Sequence, residues 1–165
     1  VGREPIDAVA DAGPLIHLRE VGQSNLLDLF RVLCIPGAVW AESVDRTNRP
    51  PLNLKNIRRY TIFAGDVDHF VQEYSLSDLH VGERECLCLC NQLDIPVLLT
   101  DDLAVRKAAR RLGIRPVGSL GIVVRGYKEG MLAYLEAERI LIALYEESSL
   151  FATRALVEIA IEQLV

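Results

Sequence analysis

Apolar residues in this chain fall into short continuous runs, each followed by a longer stretch with helical spacing. Residues 6–10, IDAVA, are apolar but for one Asp and predict a first strand. Gly13 and Pro14 punctuate, and a helix is expected from about Pro14, a good first-turn residue. Leu26, Leu27, Leu29 and Phe30 extend that spacing, so a second or broken helix should run to about Phe30. Residues 32–36, VLCIP, predict a second strand, and GAVWAESVDR opens the next helix. The polar, Pro-rich stretch TNRPPLNLKN reads as a loop. Residues 60–63, YTIF, are a short strand candidate. A variable region with Asp66, Asp68 and His69 leads to an amphipathic helix from about Val81. Residues 95–100, IPVLLT, form the clearest buried strand. The segment LAVRKAARRLG is a helix with Gly113 as its C-cap, and IRPVG is a further strand. Ser119 is placed as the N-cap of the helix that follows. Two more helices, about 132–146 and 149–164, complete the chain.

Strands alternating with helices imply an α/β fold, a mainly parallel central sheet flanked by helices on both faces, here with extra C-terminal helices. With 165 residues and no repeat, low-complexity tract or linker, residues 1–165 read as a single domain. Only 6% of residues are aromatic, so the core must be built from Leu, Ile, Val and Ala. No apolar stretch reaches the roughly 20 residues of a membrane span, and a soluble cytoplasmic protein is expected.

Cys34, Cys86, Cys88 and Cys90 change little. On a helix, positions 86 and 90 share a face while 88 lies roughly opposite, which makes a poor metal clamp. They read as small buried apolar residues and suit a reducing compartment. The net charge of −5 argues against a strong non-specific nucleic-acid binder. It does not exclude a nuclease, because a carboxylate cluster that carries a divalent ion is counted as acidic without it.

The acids are placed with a pattern. In open α/β sheets, ligands bind beyond the carboxyl ends of the strands. Asp11 follows the first strand, and Asp101 with Asp102 follows IPVLLT. Glu42 and Glu83 stand near the starts of helices that follow strands. Taken singly, each reads as a helix cap, a turn residue or a solvated side chain. Jointly they offer hard oxygen ligands without Cys or His partners, a set suited to Mg²⁺ or Mn²⁺ and to phosphodiester chemistry rather than to zinc.

Four stretches also resemble one known family. VADAGPLIHL resembles the first motif of PIN domains, particularly of a prokaryotic subgroup related to VapBC-type toxins. IPGAVWAES resembles the second, VGERECLCLC the subgroup's Gly-Glu-x-Glu helix, and LLTDDLAVRKAARRLGIRPVGSLGIV the last and longest. They occur in the family's order and span nearly the whole chain. The resemblance implies a Mg²⁺- or Mn²⁺-dependent endoribonuclease acting on single-stranded RNA, often a homodimer, with a toxin role and an antitoxin protein as partner. By position it implies Asp11, Glu42, Glu83 and one of Asp101 and Asp102 as metal ligands, with Asp101 favoured as the residue nearer the strand end. Glu85 is an outside candidate. Thr100 is expected to supply a supporting hydroxyl on the substrate side, and Arg106 a phosphate contact. Ala12 stands where many members carry Ser or Thr, and His80 and Val81 where a more polar helix start is usual.

His17, His69 and His80 are considered as general bases, with an ordinary surface or half-buried histidine the competing reading. Trp40 is weighed as an RNA-stacking platform against burial between helix and sheet. Lys107, Arg110 and Arg111 share a basic helix face with Arg106. The C-terminal helices, with Leu141, Leu144, Leu150, Leu156, Ile159 and Leu164, are expected to cover the sheet and to leave a dimer or antitoxin surface. Two other functions compete with the nuclease. One is a catalytically weak or inactive PIN-like module that binds nucleic acid or protein. The other is a phosphoryl-transfer receiver or phosphatase, which should carry its paired acids after the first strand, whereas here the pair comes late.

Overall fold

The computed structural model describes residues 4–43 and 54–165. Five strands form one sheet: β1 (Ala8–Ala10), β2 (Leu33–Pro36), β3 (Ile57–Tyr60), β4 (Val97–Leu99) and β5 (Arg115–Val117). Their order is β3-β2-β1-β4-β5 and every pairing is parallel. Val9 pairs with Cys34 on one side and Leu98 on the other. Helices cover both faces of the sheet, and β1, β2 and β4 are therefore wholly buried. That burial is why these three read as unbroken apolar runs and not as alternating ones.

The connecting helices are α1 (Ala12–Glu20), α2 (Gly37–Ser43), α3 (Ala64–Tyr74), α4 (Val81–Leu93), α5 (Leu103–Arg111) and α6 (Ser119–Lys128). Two further helices, α7 (Tyr134–Glu147) and α8 (Arg154–Glu162), follow. α4 lies across β1, β2 and β4, and its Cys86, Leu87, Cys88, Leu89 and Cys90 are all buried. The cysteines thus serve as compact apolar side chains, Cys88 included although it lies opposite Cys86 and Cys90 on the helix, and all four are free thiols. α1 packs against α2, α6 and α7, and α8 closes over α6 and α7. No helix among the described residues is long and apolar enough to cross a membrane.

Several boundaries differ from the sequence reading. α1 begins at Ala12, two residues before Pro14, because Asp11 caps it. Proline is tolerated inside a first turn, where N–H groups lack intrahelical partners anyway. The spacing near Leu26 makes a 3₁₀ turn over Ser24–Leu29. The third strand is Ile57–Tyr60, three residues earlier than the YTIF run, and Phe63 is exposed. β3 is an edge strand with Arg58 and Arg59 facing solvent, so hydrophobicity marks it poorly. The variable region is helix α3, with Val67, Phe70, Val71 and Tyr74 at helical spacing. The C-cap of α5 is Leu112, not Gly113, which comes one residue later at φ +74°, the left-handed geometry expected just past a helix. Most of the Pro-rich loop lies outside the described residues.

β1 and β4 are neighbours, but the chain leaves them in opposite directions across the sheet, toward β2 and β3 or toward β5. The crevice at their carboxyl ends is the topological switch point, where open parallel sheets bind ligands. Leu98, fully buried in β4, tests this core directly. Leu98→Ala is expected to lower the urea unfolding free energy by about 2–5 kcal/mol without changing the cooperativity of the transition.

Candidate metal centre

The end of β1 delivers Asp11 into the switch point. The Asp11 N–H donates to the Leu99 carbonyl at 2.9 Å, so the ladder with β4 holds its backbone. Its side chain caps α1: Oδ1 accepts the Ala12 N–H at 2.8 Å, and Oδ2 accepts the Thr100 hydroxyl at 3.0 Å. Thr100 is fully buried, and its Oγ1 also accepts the Asp102 N–H at 3.3 Å. The hydroxyl absent at Ala12 is thereby supplied from the neighbouring strand. Thr100 thus supports Asp11 through its hydroxyl.

Asp11 is only 7% exposed. Burial is the main reason its carboxyl is pushed up to about 6. The Ala12 N–H and the Thr100 hydroxyl pull the other way, and the charges of Glu83 and Glu42 raise it further. Three carboxylates therefore sense one another at the end of β1. At Gly82, in the first turn of α4, a Cβ would lie 3.4 Å from Val39 Cγ2 and 3.7 Å from Glu42 Oε2, ordinary contact distances that mark how closely α2 packs there. Glu42 itself is exposed on α2. Glu83 sits in the first turn of α4, where its Oε2 accepts the His80 N–H at 2.9 Å. A carboxylate suits that position because it meets unpaired N–H groups. Glu85 acts between helices instead, since its Oε1 accepts the Ala38 N–H at 3.2 Å and ties α4 to the start of α2.

The acids after β4 divide their work. Asp102 caps α5, with Oδ1 accepting the Val105 N–H at 3.0 Å. Asp101 points into the fold and is held from two sides. Its Oδ1 accepts the Ser119 N–H at 2.7 Å, and its Oδ2 accepts the Ser119 hydroxyl at 2.5 Å and meets His17 Nδ1 at 2.7 Å. Ser119 is therefore not the N-cap of α6, which is Gly118. It is the fully buried first helical residue, turned toward Asp101. Gly118 is required by close approach, because a Cβ there would fall 2.8 Å from Asp101 Oδ1 and 3.1 Å from Arg106 Nη1. Arg106 Nη1 donates to the Thr100 carbonyl at 3.2 Å. Partial burial and the nearby charge of Arg110 lower its pKa, against the attraction of Asp101.

Ser119 and the Asp101-bound role of His17 were missed by sequence reasoning. The signal for Ser119 was the GSLG turn after β5, and for His17 its position a turn and a half after Asp11. His69 is exposed on α3 with Nε2 3.9 Å from Glu73, and His80 is exposed before α4. Trp40 is half-buried against the core, with the Arg59 guanidinium 5.4 Å from its ring centre.

Whether this donor set fits a divalent ion is decided by its chemistry. Asp11, Glu42 and Glu83 bring hard oxygens and like charges that gain from a shared cation. Mg²⁺ typically needs only one or two carboxylates and keeps several waters. Among the described residues, however, no three His, Cys, Asp or Glu side chains converge as ready-made ligands. The exposed Glu42 would have to swing inward. Asp101 already accepts from three donors, which leaves about one of the roughly four lone-pair sites of a carboxylate. The set fits a cation in its chemistry, with side-chain rotation needed to close around it.

The raised Asp11 carboxyl links stability to pH. Between about 4 and about 6 the native state holds a proton there that the unfolded chain has released, so Asp11 makes stability fall as pH rises through that window. Asp11→Asn removes this dependence. In chelator, the variant's stability relative to wild type should increase from pH 4 to pH 7 by on the order of 2–3 kcal/mol, read from urea unfolding. A constant difference across that range contradicts the assignment.

A family model described as a PIN domain matches residues 7–164, nearly the whole chain. No curated protein matches the sequence. PIN domains are generally nucleases and typically use divalent metal ions, in keeping with acids gathered at the switch point of a parallel sheet. By its fold and by this match, the chain belongs to the PIN domain family.

Proposed function

We propose that the protein is a metal-dependent endoribonuclease that hydrolyses phosphodiesters of single-stranded RNA. The observation that carries this reading is Asp11: a buried carboxylate at the switch point, near two glutamates, with its charge disfavoured by burial and by theirs. Asp11, Glu42, Glu83 and Asp101 would hold Mg²⁺ or Mn²⁺, and Asp102 is the alternate that now caps α5. When bound, such an ion supplies Lewis acidity toward phosphate and acidifies water.

The chain's own residues prepare the rest. Thr100 and the Ala12 N–H fix the plane of the Asp11 carboxylate. Ser119 and His17 fix that of Asp101. Both carboxylates are therefore held in orientation before any substrate binds, and preorganisation of this kind is worth most where water is excluded. Arg106, half-buried beside Asp101, would meet a phosphate oxygen. In the cell we assign the toxin role of a toxin–antitoxin pair, with homodimer and antitoxin contacts through the C-terminal helices. Supporting that assignment, Leu135 is 75% exposed and Ile142 is also exposed.

A second reading is favoured by one observation, the threefold engagement of Asp101 together with the unconverged glutamates. On it, the protein keeps the fold but binds RNA or a protein without turnover. Unstructured RNA incubated with Mn²⁺, Mg²⁺ or chelator separates the two. The nuclease predicts metal-dependent cleavage that disappears in Asp11→Asn. Thr100→Val, which keeps the volume and removes the hydroxyl, should lower cleavage about 10–100-fold. Metal should also raise the melting temperature of wild type. Cleavage that persists in Asp11→Asn overturns the proposal, and RNA binding in saturating Mn²⁺ without cleavage supports the second reading.

A further inference from the structure

A groove of about 930 Å³ starts at Asp101 and runs away from the candidate centre between α5, β5, α6 and α8. Its cationic side chains are placed in sequence along that path. Arg106 stands at the Asp101 end, Arg110 lies one helical turn further along α5, and Arg115 opens β5 at the strand end remote from the centre. Lys128, at the far end of α6, lies about 15 Å from the helix start by the rise of its ten residues. Arg125 also lines the groove, but Glu129 holds it at 2.7 Å.

Two features of the groove, its gathered cations and its uncovered apolar surface, suit a polyanion that carries flat apolar groups. The chain is acidic overall, with 23 Asp and Glu against 18 Lys and Arg, yet Arg106, Arg110, Arg115 and Lys128 form no ion pair with any described residue. Cations left together in an acidic chain concentrate positive potential where a polyanion would lie. The same groove also carries uncovered apolar surface: Phe151 is 99% exposed, and Leu103, Leu156 and Ile159 are at least half exposed. A single nucleic-acid strand presents both complements, phosphates at regular intervals and flat apolar bases that stack on an aromatic ring. A duplex does not offer unstacked bases to a side chain in this way. Continuity with Asp101 decides between a strand and an acidic polypeptide, because a strand lying here would lead its phosphates to the candidate centre.

We propose that this groove is a second nucleic-acid site, which grips a single strand beyond the scissile phosphate through Arg106, Arg110, Arg115 and Lys128 and stacks a base on Phe151. It deepens the nuclease reading, on which it rests for the strand's destination but not for binding itself. Affinity should therefore depend on substrate length, with short fragments released once they no longer reach Arg115.

The test is binding without cleavage. An end-labelled oligouridylate of about a dozen nucleotides, within the range that single-strand sites cover, is titrated with protein in chelator and followed by fluorescence anisotropy at several salt concentrations. Replacing Arg110 and Arg115 together by Gln should weaken binding about tenfold or more near 0.1 M salt. It should also flatten the slope of log affinity against log salt by about 1.4, the loss of two phosphate contacts. Phe151→Ala should weaken binding on the order of tenfold with the slope unchanged. The same loss of charge at Lys55 and Arg139, exposed residues outside the groove, should leave affinity within about twofold. Melting curves establish that each variant is folded. The proposal is overturned if the Arg110/Arg115 variant binds like wild type, or if the control pair loses as much. It is also overturned if a polyglutamate of equal charge competes equally well, which would make the groove a seat for an acidic polypeptide. Binding that behaves as expected, with no cleavage when Mn²⁺ is supplied, leaves the groove standing and removes the nuclease reading instead.

Discussion

A parallel sheet covered on both faces confines its polar chemistry to the ends of its strands, and in this molecule the constraint falls on Asp11. Its backbone belongs to the β1–β4 ladder, its Oδ1 caps α1, and its Oδ2 takes the hydroxyl of Thr100. Such a carboxylate cannot turn away from its surroundings, and burial makes its charge expensive. Two glutamates then face it from α2 and α4, which worsens the balance rather than relieving it. A fold that tolerates this arrangement keeps local instability at one point, and a cation is the simplest agent that would remove it.

Other features follow from holding that point in place. α2 packs on the start of α4 at Gly82, Glu85 pins the same two helices, and Glu83 caps α4 while remaining beside Asp11. On the other side of the switch point, Gly118 clears room for Asp101, and Ser119 and His17 clamp it. The two halves differ in kind. Around Asp11 the carboxylates meet other carboxylates, whereas Asp101 is surrounded by donors. The first half is chemically suited to a cation, and the second to keeping one acid in a fixed orientation next to the basic groove.

Much of the fold was legible because burial on both faces leaves a clear imprint. β1, β2 and β4 are continuous apolar runs, and helix α5 carries clean amphipathic spacing. The edge strand β3 left no such imprint, since Arg58 and Arg59 face solvent and Ile62 and Phe63 beyond it look more like a strand than it does. Helix α3 was hidden by Asp66, Asp68 and His69, which occupy its exposed face. At the site, strand ends could be read from the chain, and with them the positions of Asp11, Asp101 and Asp102. The partners could not. Whether Ser119 caps a helix or binds Asp101 depends on one side-chain direction, and His17 reaches an acid 84 positions away. The groove was equally invisible, because Arg110, Arg115 and Phe151 meet only after α8 has folded over α6.

Everything at the switch point turns on Asp11 being a carboxylate whose charge is disfavoured by burial and by its acidic neighbours, and on the proposal that a cation restores it. Carboxyl-carbon NMR titration of Asp11, in chelator and again in excess Mg²⁺, measures this directly. The expected result is a midpoint near 6 in chelator and a marked fall when the ion is present. A midpoint near the ordinary value of about 4, unmoved by the ion, would contradict it.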